Sequence, residues 1–154
     1  MHRKISYVRD LEIIEKELNE SSGGILAFNV DGEKVIQYLT TFLYLDKNIY
    51  FYLEKEDEIF ERINLNSFAS FTIVKDERIK KSRAKDSSGN YYLFSTTIMG
   101  PLKIVDEKKV IDEVEEKYYA KYCIKKSSDA KSSQLKELVM IDSEEIQAVE
   151  EEGI

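Results

Sequence analysis

The stretch GILAFNVDGEKVIQYLTTFLYLDKNIYFYL, residues 24–53, decides the fold of this chain because it holds three strand patterns joined by short turns. β-Branched and aromatic residues recur in each pattern, as is typical of strands. Asp31-Gly32 is a strong signal for a two-residue hairpin, and Asp46-Lys47-Asn48 predicts a second turn. Turns this short join only antiparallel neighbours, so we expect an antiparallel meander.

Helices and further strands are predicted on both sides of this meander. Apolar residues at helical spacing predict an N-terminal helix over residues 7–20, ended by a Ser-Ser-Gly-Gly segment. After the meander the sequence predicts a short helix within residues 55–64, strands at 67–74 and 91–105, a polar loop between them at 75–90, a long helix over 106–126, a last strand over 137–149 and a solvated tail at 150–154. Gly100-Pro101 predicts a bulge or an edge position within its strand.

The order of these elements predicts a mainly β fold of the α+β class. Six strands with hairpin turns favour a six-stranded antiparallel β-barrel, closed or nearly closed, with flanking helices. We expect a single domain over residues 1–154, with the barrel strands in 24–104 and the last strand later in the chain. A barrel this small fills its interior with side chains, so a ligand is expected on the outer surface or between subunits.

Composition limits the classes of function. The net charge of −7 argues against nucleic acid as a partner, and no apolar run is long enough for a membrane span. The charged N-terminus is unlike a signal peptide, and the single cysteine fits a reducing compartment, so we expect a cytoplasmic protein. One local exception is basic, KDERIKKSRAK at residues 75–85, which is either a solvated loop or an anion site.

The inventory of reactive side chains is narrow. His2 is the only histidine, so neither a Ser-His-Asp arrangement nor a Cys-His pair has a credible base. No His/Cys cluster suggests zinc, and no glycine-rich phosphate loop is present. If the chain is an enzyme, a bound cofactor is expected to supply the reactivity, and no catalytic residue is identified.

Three segments together resemble the FMN-binding split-barrel family related to pyridoxamine 5′-phosphate oxidase. Residues 24–53 are similar to the opening meander of that family, with Leu39-Thr40-Thr41-Phe42-Leu43-Tyr44 at its Pro-x-x-Phe-x-Tyr strand. EIFERINLNSFASFTIV, residues 58–74, is similar to the family's helix and NP-x-V-x-F strand. YYLFSTTIMGPLKIVDE, residues 91–107, is similar to its G-x-A-x-x-V-x-D strand before the long helix.

The resemblance implies a homodimer that binds two FMN molecules at the subunit interface. By position it implies ring and ribityl contacts at Thr40, Thr41 and Phe42, and ribityl or phosphate contacts at Tyr52 and Leu53. Some of the chain's tyrosines are then expected to cover the flavin ring or to line the dimer seam, although most are expected to pack the barrel and helices.

The family's basic phosphate-binding residue falls near Glu58 or Ile59, within the acidic segment EKEDEI. Lys55 and Arg62 would hold the phosphate instead if their side chains pointed inward, with Lys80, Lys81 and Arg83 of the basic loop as further sources of charge.

Three hypotheses of function follow. The first is an FMN-dependent oxidoreductase that acts on a small molecule. The second is a split-barrel dimer that binds another ligand, such as haem, for which the lone His2 gives weak support. The third is a cofactor-free interaction module without catalytic activity, which the acidic segment favours along with the second.

Overall fold

Nine strands and three helices make up the part of the chain that the computed structural model describes, residues 2–30, 32–77, 91–125 and 136–153. The strands are β1 (Arg3–Val8), β2 (Gly24–Val30), β3 (Lys34–Thr40), β4 (Leu43–Leu45), β5 (Asn48–Glu54), β6 (Phe68–Glu77), β7 (Tyr91–Ile104), β8 (Lys136–Ile141) and β9 (Glu145–Gly153). The helices are α1 (Leu11–Glu20), α2 (Glu58–Arg62) and α3 (Lys108–Tyr122). The predicted class, an antiparallel mainly β fold with flanking helices, is confirmed, but the described strands number nine rather than six.

One curved antiparallel sheet carries the strands in the order β3-β2-β6-β7-β8-β5-β4, with β9 beside β7 and β1 beside β9. β7 pairs with β9 through residues 91–99 and with β8 through residues 102–104. The change of partner falls at Gly100-Pro101, where the sequence predicts a bulge or an edge. The strands at the two ends of the order, β3 and β4, are joined by only Thr41-Phe42, so the sheet must curl back on itself.

Side chains fill the interior of this curved sheet. Phe28, Phe42, Phe51 and Phe71 are at most 2% exposed, and the rings of Phe42 and Phe71 are 4.7 Å apart. Burial of each such ring stabilises the fold by about 1.5–3 kcal/mol. α1 packs into the same core through its apolar face, which holds Ile14 and Leu18.

α3 has its own smaller core against the sheet. Its Val114 and Tyr118 pack with Leu43, Tyr50 and Leu138. The helix covers residues 108–122 rather than the predicted 106–126, and it ends where Cys123 adopts a left-handed conformation. This packing fixes the aromatic face of α3 over β4, β5 and β8.

The N-terminal segment differs from the prediction. Residues 3–8 form β1, which pairs with β9, and the helix predicted over 7–20 begins only at Leu11. Between β1 and α1, the Asp10 side chain caps the helix by accepting a hydrogen bond of 3.0 Å from the Glu12 N–H.

The C-terminal segment differs more. The predicted strand over 137–149 is two strands that turn at residues 142–144, where the Asn48 side chain accepts a hydrogen bond of 3.0 Å from the Ser143 N–H. The tail predicted to be solvated at 150–154 continues β9 through Gly153, between β1 and β7. Its acids have distant partners: the Tyr91 hydroxyl donates to Glu151 at 2.5 Å, and the Arg3 guanidinium pairs with the same carboxylate at 2.8 Å.

Two further predictions are adjusted. The strand predicted over 33–45 is interrupted at Thr41-Phe42, and the short helix within 55–64 covers only Glu58–Arg62. Of the polar loop at 75–90, residues 75–77 belong to β6, whereas the basic positions Lys80, Lys81 and Arg83 lie outside the described residues.

Candidate functional site

A groove lies where the curled sheet does not close, between β3 and β5. β4 pairs only with residues 48–50 of β5, so residues 51–54 have a strand neighbour, β8, on one side alone within the described chain. β3 is the end strand on the other side. The groove has a volume of about 450 Å³ and is lined by Tyr38, Leu39, Thr40, Thr41, Tyr52, Glu54, Asp57, Tyr118, Tyr119, Ile124 and Lys136. We call it the tyrosine groove after its four tyrosines.

Strand alternation explains which residues reach the groove. Side chains on a strand point alternately to opposite faces. In β5, Phe51 and Leu53 therefore enter the core, with at most 2% of each exposed, whereas Tyr52 and Glu54 line the groove.

The aromatic wall of the groove is formed mainly by tyrosines that contact one another. The rings of Tyr52 and Tyr118 are 4.9 Å apart and meet edge to face at 85°, and Tyr118 lies 5.0 Å from Tyr122. Burial raises the pKa of Tyr118 to about 12 and also raises that of Tyr52. Both hydroxyls are therefore neutral at ordinary pH and can donate as well as accept hydrogen bonds.

Hydrogen bonds hold α3 against the link between β3 and β4. The Thr41 hydroxyl bonds to the Tyr118 hydroxyl, and the Thr40 hydroxyl donates to the Thr41 carbonyl at 3.0 Å. The Phe42 N–H donates to the Tyr122 hydroxyl at 3.0 Å. The position of Tyr118 in the groove is thus set by contacts with the chain itself.

Lys121 reinforces the same junction. Its ammonium lies 3.7 Å from the centre of the Phe42 ring and donates to the Phe42 carbonyl at 2.9 Å. Burial lowers the pKa of Lys121 to about 8. The ring, N–H and carbonyl of Phe42 all have partners within the chain, so this residue supports the groove from behind.

One end of the groove is acidic. Glu54 and Asp57 line it, and the pKa of Tyr38 beside them is raised by burial first and then by the charges of Asp57 and Glu54. The Asp57 carboxylate also caps α2 by accepting a hydrogen bond of 3.1 Å from the Ile59 N–H. Lys136 is the cation among the described residues that line the groove.

A smaller neighbouring cavity extends this acidic character. Its volume is about 210 Å³, and it shares Tyr52, Tyr119 and Lys136 with the tyrosine groove. Glu115 and Glu137 are the charged side chains that it adds.

The structure brings together only some of the predicted site residues. Thr40, Thr41 and Tyr52 line the tyrosine groove. Phe42 and Leu53 are buried in the core, and the Lys55 ammonium lies 3.4 Å from the Glu137 carboxylate. The remaining predicted residue, Arg62, is an exposed residue at the end of α2.

Tyr38, Tyr118, Tyr119 and Lys136 are among the lining residues that the sequence did not assign to the site individually. For Tyr38 the sequence holds a weak signal, since this residue lies two positions before Thr40 and therefore on the same face of β3. The two tyrosines of α3 have none, because their spacing is also that of ordinary helix packing.

Other classes of site find little support in the described residues. No three His, Cys, Asp or Glu side chains there are grouped as a metal site. None of the helices in the described part of the chain has the length and apolar character of a membrane span.

The sequence matches no family model and no curated protein, but the fold matches solved structures. A candidate 5-nitroimidazole antibiotic resistance protein from Bacteroides thetaiotaomicron superposes with a TM-score of 0.77 at 11% identity, covering 99% of this chain and 90% of that one. A protein from Mycobacterium smegmatis that binds FAD and haem gives a TM-score of 0.67 at 12% identity, covering 94% and 72%. A candidate pyridoxamine 5′-phosphate oxidase from Corynebacterium glutamicum gives 0.58 at 17% identity, covering 97% and 95%.

Identities this low establish a shared fold rather than a shared activity. The chain has the split-barrel fold that its resemblance to the family of pyridoxamine 5′-phosphate oxidase predicts, and these solved structures share that fold.

Proposed function

We propose that this chain is a flavin-binding protein that holds the isoalloxazine ring in the tyrosine groove. The observation that carries the proposal is the aromatic groove at the opening between β3 and β5, where Thr40, Thr41 and Tyr52 meet Tyr118. Aromatic rings that pack edge to face or offset against a planar ligand contribute about 0.5–1.5 kcal/mol each beyond the area buried. A protein of the same fold that binds FAD and haem supports a flavin as the ligand.

The groove's own residues suit a planar heterocycle with polar edges. The neutral hydroxyls of Tyr52 and Tyr118 offer donors and acceptors, and the bond to Thr41 fixes Tyr118 in place. Tyr38 and Tyr119 add apolar surface that excludes water from the ring. FMN, the form implied by the sequence resemblance, stays a prediction.

We further propose that the protein is a flavin-dependent oxidoreductase acting on a small molecule. A bound flavin supplies hydride transfer, which no nucleophile or general base identified in this chain provides. The role of the chain is then to bind and orient the ring and to shield it from water.

A homodimer is proposed as the functional unit. Leu39 and Val35 are 75% and 66% exposed on the outer face of the sheet, and Ile25, 38% exposed, lies directly opposite Leu39. Leu39 also lines the tyrosine groove, so a partner that covers this apolar face would close the groove from outside. Val35→Lys is expected to give monomers in sedimentation velocity while Ile13→Lys on α1 does not. A monomeric unchanged chain would contradict the proposal.

The visible spectrum of the purified protein tests flavin binding directly. We expect flavin absorption bands, with free flavin released on denaturation, or saturable binding when the purified chain is titrated with flavin. Bleaching of these bands by NADH or NADPH under anaerobic conditions tests the oxidoreductase proposal separately. Flavin bands that neither nucleotide bleaches would reject that nicotinamide-linked activity and leave flavin binding intact.

Haem ligation by His2 in the groove is not favoured by the described geometry. His2, the sole histidine, precedes β1, which lies beside β9, whereas the groove is built by β3, β5, β8 and α3. A haem band on titration with haemin would revive that hypothesis.

A further inference from the structure

Resting on the flavin proposal above, we infer that the tyrosine groove binds the ring and ribityl chain of a flavin without gaining affinity from a phosphate. Riboflavin is therefore expected to bind at least as tightly as FMN. The inference concerns the ligand's charge, whereas the proposed function concerns its ring.

The charges that line the groove are the first reason. Glu54 and Asp57 contribute two carboxylates, and Lys136 contributes one ammonium. Lys136 stands opposite Glu54 in the pairing of β5 with β8, so an acid already lies beside it. Lys136 also lines the neighbouring cavity, together with the acids Glu115 and Glu137.

The second reason is that two anchors available to a phosphate, the Ile59 N–H and the Lys55 ammonium, already have partners among the described residues. The Asp57 carboxylate accepts the hydrogen bond of the Ile59 N–H at the start of α2, a position that a phosphate oxygen would need. Lys55 pairs with Glu137 at 3.4 Å. A phosphate at this end would have to displace a carboxylate or lie beside one.

Coulomb's law sets the size of the effect. The phosphate of FMN carries a charge of about −1.5 to −2 at neutral pH. A carboxylate about 4 Å from it weakens binding by at least roughly tenfold, because Coulomb's law gives an effect of that size even at the dielectric constant of bulk water. Two such carboxylates outweigh what one shared ammonium contributes, so the phosphate brings no net gain.

Parallel titrations of the purified protein with riboflavin and with FMN, followed by flavin fluorescence, test the inference. We expect a dissociation constant for riboflavin equal to or below that for FMN. The two constants are expected to converge as the salt concentration rises from about 0.02 M to about 0.5 M, because repulsion of the phosphate is screened.

A charge-neutral variant sharpens the test. In Glu54→Gln with Asp57→Asn, the asparagine still caps α2, so the fold is retained while both negative charges are removed. FMN is expected to bind this variant roughly a hundredfold more tightly, because two effects of about tenfold each are removed, with riboflavin changed by less than about twofold. Glu12→Gln with Glu20→Gln on α1 is the matched control, since it makes the same change in net charge away from the groove.

The outcomes separate the two proposals. FMN binding tenfold or more tightly than riboflavin to the unchanged chain overturns the inference and leaves flavin binding standing. No binding of either flavin overturns both. An equal gain in FMN affinity in the α1 control shows an effect of net charge alone and overturns the assignment to Glu54 and Asp57.

Discussion

Gly100→Ala is expected to separate the turn after β8 from β7. A Cβ at this position would stand 1.9 Å from the Asp142 carbonyl oxygen and 2.8 Å from its carbonyl carbon. The Asp142 N–H donates to the Pro101 carbonyl at 3.0 Å, and the Glu144 N–H donates to the Met99 carbonyl at 2.9 Å. These two hydrogen bonds hold the turn against β7 on both sides of Gly100, and the space between them has no room for a side chain.

The magnitude follows from those contacts. Ordinary contact begins near 3.4 Å, so the Asp142 peptide must retreat by about 1.5 Å. That movement costs up to two hydrogen bonds of about 0.5–1.5 kcal/mol each and adds about 1–3 kcal/mol of overpacking, for a total of about 2–6 kcal/mol. Domains of this size have free energies of unfolding of about 5–15 kcal/mol, so the loss is readily measured.

Urea unfolding followed by far-ultraviolet circular dichroism measures the change in the free energy of unfolding. Gly23→Ala is the matched control, because its Cβ would meet the Thr40 carbonyl oxygen at 3.4 Å, an ordinary contact. We expect the control to change stability by less than about 1 kcal/mol. Equal stability of the two variants would refute the close packing of the turn on β7.

Three further variants test the groove and the strands around it. Burial lowers the pKa of Lys121 to about 8, so above that pH the unfolded chain binds more protons than the folded chain. The free energy of unfolding of the unchanged chain, measured with urea, should therefore rise by about 1 kcal/mol relative to that of Lys121→Met between about pH 7 and pH 10. The hydrogen bond from Arg3 lowers the pKa of Glu151, so Arg3→Met should lower the melting temperature at neutral pH. The difference in melting temperature between the two chains should vanish as the pH falls through that lowered pKa. A difference that does not depend on pH would contradict this prediction. Tyr118→Phe removes the hydrogen bond to Thr41 but keeps the aromatic ring. The free energy of unfolding should therefore fall by about 1 kcal/mol, and flavin affinity should fall by less than about tenfold.

Local sequence signals predict the first half of the fold well. Asp31-Gly32 and Asp46-Lys47-Asn48 encode their turns in a few residues, and these turns pair β2 with β3 and β4 with β5 as antiparallel neighbours. The interruption at Thr41-Phe42 has no such local signal. It is held by side chains of α3, about 80 residues later in the chain.

The C-terminal half depends on distant contacts that a local pattern does not carry. The turn at residues 142–144 carries only the weaker turn residues Asp142 and Ser143, with no glycine, proline or asparagine, and the side chain of Asn48 holds it in place. The run of glutamates at 150–152 has the composition of a solvated tail, yet Arg3, Tyr91 and Tyr92 pair with its members. Each of these partners lies at least 58 residues away.

The candidate site was predictable on its strand side only. The resemblance located Thr40, Thr41 and Tyr52, which the structure places in the groove. It also pointed to Phe42 and Leu53, whose side chains are buried because of their position in the strand alternation. Which face of α3 meets the groove depends on how the helix packs on the sheet. Neither the sequence of the helix nor that of the strands determines this packing alone.

The most direct test of the account is a riboflavin titration that compares Tyr52→Leu with Tyr7→Leu, followed by flavin fluorescence. Tyr52 lines the groove against Tyr118, whereas Tyr7 is 62% exposed on β1. Leucine keeps an apolar side chain at both positions, and urea unfolding confirms that each variant is folded. We expect Tyr52→Leu to weaken riboflavin binding by roughly three- to tenfold and Tyr7→Leu to leave it unchanged. Equal affinities for the two variants would contradict the placement of the flavin ring in the tyrosine groove.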